Sequence, residues 1–434
     1  MELQYFQEPG APSEVPPLAV RAGDFVFFAG GIAAHPINGV PDEVKLSKEL
    51  PYHGSVIDRQ LRYIYNNMKM VLEASGSSIR QCMKINSYHT LPTEIDAALR
   101  VRKDYFGTET PPPSTLVLVP ETEVNGTSVT NDVVALVSDA KLSREGPPPQ
   151  KSPLASLDLV SMIYGHPIFV RAVRGGGFIF TQGKTGARKG VGLDKNVLLN
   201  SDYRYRNNKI KSQTEFILGY LKSVLMEMGA SLEHVVKADV HMSNMEDILG
   251  MDTVWRSFFP TNPPARTILP SALVGTDTRI EIELVAIDPK GPYRKETIST
   301  ANAPQSTLHE AQAVKAGPFL FISGQLATDY KNGVSPDASL NDSFPFFSSN
   351  IKCQVEYILK NVEAICHAAG TSSKNLVRRR SMHLNMNELA EAEEVWRDKL
   401  GRRLPPTTTF RTHGPLPVPA CTVGYELIAY CSDK

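Results

Sequence analysis

Three copies of one sequence unit follow each other along the chain, and this repeat restricts the possible fold more than any other feature. Glycines precede a short apolar run at Gly23, Gly176 and Gly317. Glutamines open a helical pattern at Gln60, Gln213 and Gln354, and glycines close it at Gly76, Gly229 and Gly370. Prolines lead a turn at Pro112, Pro264 and Pro405. Each set is spaced by 153 (152 for the prolines) and then 141 residues. The 434 residues therefore hold three units of roughly 130–145 residues each.

Each unit shows the same succession of local patterns. In the first unit, a hairpin pattern with the turn Asn38-Gly39 comes before a run of apolar residues at helical spacing. This run predicts a helix over about Asp58–Ser75, with Gly76 as its C-cap. A strand pattern at Met83–His89, a second helix pattern and two strands around the proline turn complete the unit. The order β-β-α-β-α-β-β predicts an α+β unit, a sheet with its helices on one face.

Two stretches rich in proline and polar residues separate the units. They cover residues 145–153 and 289–305, and such composition is typical of domain boundaries. We therefore expect three domains, at residues 1–145, 154–290 and 303–434. The surplus of proline in the chain is explained by these linkers and the three proline turns.

Several segments resemble the reactive intermediate deaminase family (RidA, also called YjgF-like). They are Phe321-Ile-Ser-Gly-Gln325, the pair Gln354/Asn361, Val236-Val-Lys-Ala-Asp-Val-His-Met, Pro264-Ala-Arg-Thr267 and Arg279-Ile-Glu-Ile-Glu-Leu-Val-Ala286. The resemblance covers almost the whole chain, three times over, and is strongest in the second unit. It implies chorismate-mutase-like units, which in that family form homotrimers with ligand sites between subunits. For this chain it implies an intramolecular pseudo-trimer with a central β-barrel, since packing three sheets together would bury the apolar face of each.

The resemblance also implies a chemistry. The best-known branch of the family hydrolyses short-lived imines and enamines, such as 2-aminoacrylate, to keto acids and ammonia. An arginine of the P-A-R turn holds the substrate carboxylate there, and this position is Arg266. A guanidinium suits the role because its planar fork donates two parallel hydrogen bonds. The first and third units have Ser114 and Thr407 at this position, so we expect both to be degenerate and to have lost carboxylate binding.

A carboxylate on the last strand is the catalytic group that the resemblance implies, and it orients water. The matching residues are Asp132, Glu283 and Glu426, so all three units retain an acidic side chain. Such a group could act as a general base or hold a water molecule. Glu281 shares a strand face with Glu283 by the two-residue period, and we expect it to lie on a solvated polar face. The sequence leaves open which unit's carboxylate faces Arg266.

The remaining pocket positions of the family have diverged. The serine position is Ala29, Gln182 or Ser323 in the three units, and a glycine follows each time, Gly183 in the second unit. The aromatic position is Pro16, Phe169 or Glu310, and the asparagine position is Leu99, Asp252 or Glu393. No unit has the full deaminating set. We expect Arg266, Phe169, Gln182, Gly183 and Asp252 to bind substrate, with Ser323 completing the cleft if neighbouring units share it.

Other conspicuous residues are interpreted as structural. Trp255 and Trp396 occupy equivalent helical positions and are expected in the core, and His241 is expected to pack on its strand. The run Arg378-Arg-Arg380 is interpreted as a solvated basic segment. The histidines lack HxH and HExxH spacing, and no phosphate-binding glycine motif is present, so we expect neither a metal nor a cofactor.

Composition restricts the partners and the compartment. Lys plus Arg and Asp plus Glu both number 46, which argues against a nucleic-acid-binding protein. No segment approaches the roughly 20 apolar residues that span a bilayer, so we expect no membrane partner. Five scattered cysteines without a CxxC pair, and no signal-peptide pattern, favour a reducing, cytoplasmic location.

Two functions from different classes follow. The first is a RidA-like enzyme that acts on a carboxylate-bearing imine, enamine or related unstable intermediate at the cleft of Arg266, by hydrolytic deamination or a derived step of a dedicated biosynthetic pathway. The second is a non-catalytic protein that binds a small carboxylate or regulates a partner and has lost deaminase activity. For either function we expect a monomer with internal pseudo-three-fold symmetry, or a dimer of such chains.

Overall fold

The computed structural model describes residues 2–8, 10–12, 15–49, 54–107, 111–147, 170–188, 192–194, 197, 208–341 and 343–432. The predicted repeat is present in its longest elements. Three helices of 19 residues begin at residues 56, 209 and 350, which reproduces the spacings of 153 and 141 residues. Each starts at a side chain that accepts a hydrogen bond from the first turn, at Ser55, Asn208 and Ser349. Such caps satisfy amide groups that have no partner within the helix.

The first unit follows the predicted order of elements. Its helices are α1 (Val56–Ala74) and α2 (Ile95–Phe106). Its strands are β1 (Gln4–Phe6), β2 (Ala19–Ala22), β3 (Phe25–Ile32), β4 (Ser77–His89), β5 (Ser114–Leu118), β6 (Glu121–Thr122) and β7 (Val129–Val137). The strands other than β6 form one sheet in the order β1-β2-β3-β7-β4-β5.

The second unit repeats this arrangement. Its helices are α3 (Lys209–Glu227) and α4 (Ile248–Phe258). Its strands are β8 (Ala172–Gly175), β9 (Phe178–Thr181), β10 (Lys184–Thr185), β11 (Ala187–Arg188), β12 (Gly192–Leu193), β13 (Val235–Met242), β14 (Ala265–Pro270) and β15 (Ile280–Ile287). The main sheet has the order β14-β13-β15-β9-β8, with β10 also on β15, while β11 and β12 pair only with each other.

The third unit adds a strand at each edge. Its helices are α5 (Asn350–Ala368) and α6 (Leu389–Leu400). Its strands are β16 (Lys295–Ile298), β17 (Ala313–Ala316), β18 (Phe319–Leu326), β19 (Leu376–His383), β20 (Thr407–Arg411) and β21 (Val423–Tyr430). The sheet runs β16-β17-β18-β21-β19-β20-β6, so it ends on a strand of the first unit. Strand β16 lies in the stretch 289–305, which was predicted to be a linker. Part of this stretch is a strand because Lys295–Ile298 pairs in register with β17.

The glutamine that marks each repeat has the same structural task in all three units. Gln60 donates to the carbonyl of Gly126 and accepts from the amide of Ser128, at 3.0 and 2.9 Å. Gln213 does the same with Asp277 and Arg279, and Gln354 with Ala420 and Thr422. The amide therefore ties the long helix to the loop before the last strand. Its recurrence reflects backbone satisfaction rather than ligand binding.

Each unit has its own apolar core between sheet and helices, and a further core joins all three units. Phe25, Phe178 and Phe319 occupy equivalent positions, one on each of β3, β9 and β18. Their ring centroids are 5.3, 5.7 and 6.0 Å apart, so each ring touches the other two. The described strands form separate sheets around this core and no closed hydrogen-bonded barrel. Within the described residues, no helix is long and apolar enough to cross a membrane.

Candidate functional site

Three clefts lie where the edge of one unit meets the next. In the first–second cleft the amide of Gly183 donates to the carbonyl of Ser114 at 2.9 Å. In the second–third cleft the amide of Arg266 donates to the hydroxyl of Ser323 at 2.9 Å. In the third–first cleft the amide of Gly30 donates to the hydroxyl of Thr408 at 3.0 Å. The clefts are therefore built from equivalent segments, the start of β5, β14 or β20 on one side and the Gly-containing turn after the hairpin strand on the other.

The three carboxylates predicted to be catalytic do not line these clefts together with Arg266. They belong to a buried charged layer beside the shared phenylalanine core. This layer comprises Lys84, Asp132, Lys237, Asp239, Glu283, Arg378, Arg380 and Glu426. Each predicted carboxylate binds a cation of a neighbouring unit: Glu283 pairs with Lys84 at 2.9 Å, Asp132 with Arg378 at 2.6 Å and Glu426 with Lys237 at 3.7 Å.

The positive and negative side chains of the charged layer balance each other. Burial lowers the pKa of Lys84, and the adjacent Glu283 carboxylate opposes that shift. Burial alone would raise the pKa of Asp239, yet Lys237 and Arg380 hold it well below its usual range. The void beside the layer has a volume of about 30 Å³, which is enough for a water molecule but not for a substrate. These contacts favour a structural role for Asp132, Glu283 and Glu426 and do not support the catalytic role predicted for them.

The arginine run of the third unit is also part of this interior. Arg378, Arg379 and Arg380 are 7, 0 and 0% exposed, so the prediction of a solvated basic segment is wrong. The reason is tertiary: β19 lies between β20 and β21, and carboxylates from other elements neutralise all three side chains. Trp255 and Trp396 are fully buried as predicted, and His241 is buried against Ser271.

Arg266 lies in the second–third cleft, and each of the three nitrogens of its guanidinium group has a partner. Its Nη2 donates to Asp252 at 2.8 Å and its Nε to Glu310 at 3.0 Å. Its Nη1 contacts the sulfur of Met251, and the group lies 4.8 Å from the centre of the Trp255 ring. Asp252 belongs to the same unit, whereas Glu310 comes from the third unit. Neither of the two carboxylates that face Arg266 is one of the three last-strand candidates.

Asp252 holds three partners at once. It also accepts from Arg256 at 2.9 Å and from the backbone amide of His309 at 3.2 Å. Burial alone would raise its pKa, but the charge and hydrogen bond of Arg266 and the His309 amide lower it below the usual value. Asp252 is therefore a permanent anion at neutral pH, and it is the stable counter-ion of Arg266.

A cavity of about 170 Å³ opens beside the guanidinium group. Its polar lining includes Arg266, Glu310, Tyr330 and Gln325, and its apolar lining includes Ile248, Leu308, Leu326 and Leu416. Both units contribute to the walls. The Arg266–Glu310 ion pair therefore lies at the edge of a space large enough for a ligand of several non-hydrogen atoms. Ser323 of the third unit accepts a hydrogen bond from the backbone amide of Arg266, so both residues belong to this cleft, and a contact between Ser323 and a substrate stays a prediction.

Gln182 and Gly183 lie in a different cleft, the first–second. Gln182 donates to the phenol of Tyr220 at 3.1 Å. A Cβ atom at Gly183 would lie 2.6 Å from the hydroxyl of Thr115, so the close approach of the first unit requires glycine here. Glu281 is only 6% exposed and faces the same spot, which contradicts the solvated face predicted for it. Phe169 lies outside the described residues.

The other two clefts also contain a guanidinium group. In both, the arginine stands at a position that does not align with Arg266. In the third–first cleft, Arg379 donates to Thr407, binds Glu393 at 2.6 Å and stacks 4.4 Å from Trp396. Thr407, Glu393 and Trp396 are the counterparts of Arg266, Asp252 and Trp255. The charge has therefore moved from β20 to the adjacent position of β19, and its surroundings have been kept.

In the first–second cleft the guanidinium group comes from a helix. Arg102 of α2 donates to the hydroxyl of Ser114 at 2.7 Å and to the carbonyl of Pro112 at 2.8 Å. Ser114 is the counterpart of Arg266, and Arg102 itself is the counterpart of Trp255. Burial lowers the pKa of Arg102 to about 10, so it stays charged at neutral pH. Only the second unit has its arginine at the aligned position, as the sequence indicated, but the other two clefts also contain a guanidinium group.

Comparison with known proteins assigns the family. The family model described as Endoribonuclease L-PSP matches residues 164–288 and 300–431, more than half of the chain. The chain belongs to the endoribonuclease L-PSP family. A RutC family protein of Pyrococcus horikoshii is 35% identical over 111 residues, 26% of this chain and 79% of the relative. Reactive Intermediate Deaminase A, chloroplastic, of Arabidopsis thaliana is 26% identical over 157 residues, 34% of this chain and 78% of the relative.

These relatives confirm the resemblance to reactive intermediate deaminases that the sequence motifs indicated. Each relative aligns with about one unit's length of this chain, so this endoribonuclease L-PSP family member contains the family unit repeatedly. Among solved structures, RidA from an Antarctic Psychrobacter species is 30% identical, covers 31% of this chain and 98% of that chain, and has a TM-score of 0.26.

Several residues of the clefts in this family member escaped sequence reasoning. Glu310 was noted only as the residue at a diverged aromatic position, and its distance of 44 residues from Arg266 hides the ion pair. Arg102 stands where the other units have tryptophan, and Arg379 stands where they have isoleucine and alanine. An arginine at a core position of a repeat is a detectable signal. Tyr330 lines the cavity from a loop, and no local pattern predicts it.

Proposed function

We propose that the three units form a ring, an intramolecular version of a trimer. The observation that carries this proposal is the cyclic order of contacts: the first unit meets the second at Ser114, the second meets the third at Arg266, and the third meets the first at Thr408. The protein then needs no other copy to complete a cleft. Light scattering should give the mass of one chain or of a dimer, and a mass near three chains would contradict the proposal.

We propose that the second–third cleft binds a small carboxylate-bearing molecule. The Arg266–Glu310 pair at the edge of the 170 Å³ cavity carries this proposal, because the pair is itself a carboxylate bound by a guanidinium group. A ligand carboxylate would take the place of the Glu310 carboxylate on Nε, while Asp252 keeps Nη2. The guanidinium fork favours a planar oxyanion over other groups.

When a ligand carboxylate displaces Glu310 from Arg266, the side chain of Glu310 becomes available as a base. Released from Arg266, its carboxylate would lie next to the bound molecule, and the cavity lining provides no other cation for it. A carboxylate in that position is within reach of a water molecule beside the ligand and can act as a general base. Glu310, rather than Asp132, Glu283 or Glu426, is the general base that we propose for this cleft.

The reaction that fits is hydrolysis of an imine. A water molecule adds to the imine carbon while Glu310 takes one of its protons, and the same proton then passes to the nitrogen. In the resulting carbinolamine, Glu310 takes the hydroxyl proton and passes it to the nitrogen as the carbon–nitrogen bond breaks, so ammonia leaves and a keto acid remains. Water and imine thus account for all atoms. An enamine enters the same route after a proton shifts from nitrogen to carbon. The printed name of the Arabidopsis relative, a reactive intermediate deaminase, supports this class of reaction.

Binding without catalysis is the second candidate, and one observation favours it. Each guanidinium nitrogen of Arg266 already has an acceptor within the chain, and two of these acceptors are carboxylates, so the charge is balanced without a ligand. A sensor of a small carboxylate would use the same displacement of Glu310 and omit the chemical step. We propose no RNA cleavage for this chain despite the description of its family, because its charge is balanced and the arginines of its three clefts are buried. The cytoplasmic location stays a prediction.

The deciding experiment measures ammonia released from enzymatically generated 2-aminoacrylate. The wild type, Glu310→Gln and the control Glu296→Gln should be compared, since Glu296 is an exposed acid on β16 of the same unit. We expect release above the spontaneous rate for wild type and control, and a loss of about 10²-fold or more for Glu310→Gln. Release at the spontaneous rate in all three, with thermal stabilisation by pyruvate, would support the binding function and contradict the enzyme.

A further inference from the structure

Arg102 is a buried cation that the proposed function does not use. It lies on α2, is 4% exposed, and stands at the position that tryptophan fills in the other two units. Its side chain donates to one hydroxyl and one carbonyl, and its Nε has no hydrogen-bond partner in the described part of the chain. A core position that accommodates an indole in the second and third units is thus occupied by a charged side chain in the first unit.

The first–second cleft differs from the other two in how this charge is balanced. Arg266 is paired with Asp252, and Arg379 with the equivalent Glu393. The first unit has Leu99 at that helical position. No carboxylate among the described residues lies within ion-pairing distance of Arg102, whereas both other guanidinium groups have one.

A buried guanidinium group without a counter-ion is costly, because the protein interior replaces water poorly as a solvent for charge. Two neutral hydrogen bonds satisfy its geometry but not its charge. An anion supplied from outside would balance it, and the adjoining Ser114 hydroxyl offers a further polar contact. The second unit borders the same cleft, since the amide of Gly183 donates to the carbonyl of Ser114.

We propose that the first–second cleft is a second binding site, in which Arg102 binds the carboxylate of a small ligand beside Ser114. The site takes its cation from α2, in place of the strand position used in the second–third cleft. It does not depend on the function proposed for that cleft. The chain would then contain two carboxylate sites with different gating: one in which Glu310 must be displaced, and one in which the guanidinium group already lacks a competing anion.

The test is a site-specific titration with acetate. Protein labelled with ¹⁵N at arginine Nε gives a separate signal for Arg102, assigned by its absence in Arg102→Trp. This variant should fold, since tryptophan occupies the equivalent position in both other units. At constant ionic strength, acetate should shift the Arg102 signal in a saturable manner.

Two results decide the proposal. Leu99→Asp, which supplies the carboxylate found in the second unit, should weaken acetate binding at Arg102 by about tenfold or more. An Arg102 signal that does not respond to acetate in the wild type would overturn the proposal. So would an equal response in wild type and Leu99→Asp, because acetate would then be acting without neutralising this charge.

Discussion

The second–third and first–second clefts place a guanidinium group at the same point of the fold and balance it in different ways. Arg266 comes from β14 and is enclosed by Asp252 and Glu310. Arg102 comes from α2 and has neutral partners only among the described residues. In the sequence alignment of the units, the first unit has a serine, Ser114, in place of the arginine. In the structure, Arg102 brings a guanidinium group to this serine.

The comparison shows that the position of the charge and the residue that carries it can change independently. The position of the charge is kept in all three clefts, with Arg379 as the third case. Its carrier and its counter-ions have changed from unit to unit. In a fused chain each cleft can diverge alone, which identical subunits of a homotrimer cannot do. The counter-ion therefore indicates what each cleft can bind more directly than the arginine does.

The largest expected effect is on stability when the paired guanidinium group is removed. Arg266→Met should destabilise the fold by about 3–5 kcal/mol, because it leaves the buried carboxylate of Glu310 without a cation and takes the buried cation away from Asp252, which keeps only the exposed Arg256. Arg102→Trp should leave stability unchanged or raise it, because it removes an uncompensated charge and restores an aromatic packing partner. Urea denaturation of both variants checks this contrast. Equal losses in the two variants would show that the clefts do not differ in charge balance.

A smaller effect of opposite sign is expected when a counter-ion is added. Leu99→Asp places a carboxylate three residues before Arg102 on the same helix, as Asp252 lies three residues before Trp255. We expect a gain of about 1 kcal/mol in the free energy of unfolding at pH 7. Leu99→Asn has nearly the same shape without the charge and serves as the control. A gain of equal size in both variants would mean that packing, not charge, is responsible.

The same contrast should appear as a difference in acid sensitivity. The pKa of folded Asp252 is below its ordinary value of 3.8, so the unfolded chain binds its proton first as the pH falls. The stability that Asp252 provides is therefore present above about pH 4 and is lost below it, at no more than about 1.4 kcal/mol per pH unit. Asp252→Asn should reduce this loss between pH 5 and 3. Identical pH profiles for Asp252→Asn and wild type would contradict the assignment of Asp252 as counter-ion.

The smallest effect concerns the exposed partner of the same carboxylate. Arg256 also binds Asp252, but its side chain is 51% exposed. Arg256→Ala should cost less than about 1 kcal/mol, since exposed ion pairs contribute little. Thermal or urea unfolding beside Arg266→Met measures the ratio. A cost similar to that of Arg266→Met would show that burial does not govern these pairs.

Local pattern predicted the elements of each unit well, because helix periodicity, caps and turns depend on neighbours in sequence. Helix α1 at Val56–Ala74 follows from such signals. The spacing of Gln60, Gln213 and Gln354 marked the repeat, but their hydrogen bonds to the loop before the last strand are tertiary contacts that no local pattern predicts. The units could also be counted, since the spacing is carried by the sequence itself.

The chemistry of the clefts could not be predicted in the same way, because it depends on contacts between units. Glu283 was expected to serve catalysis, and its partner Lys84 lies in another unit. Arg378, Arg379 and Arg380 were expected in solvent, and their carboxylates come from three different elements. Only the placement of whole units decides whether a charged side chain meets water or a counter-ion.

The exchange of Glu310 for a ligand carboxylate is the central claim, and calorimetric titration with pyruvate tests it most directly. The background should be Leu99→Asp, so that Arg102 does not contribute. We expect Glu310→Gln to bind pyruvate about tenfold more tightly than Glu310 protein, because no anion has to be displaced from Arg266. Equal affinities, or no binding by either protein, would contradict the claim that Glu310 occupies the ligand's place.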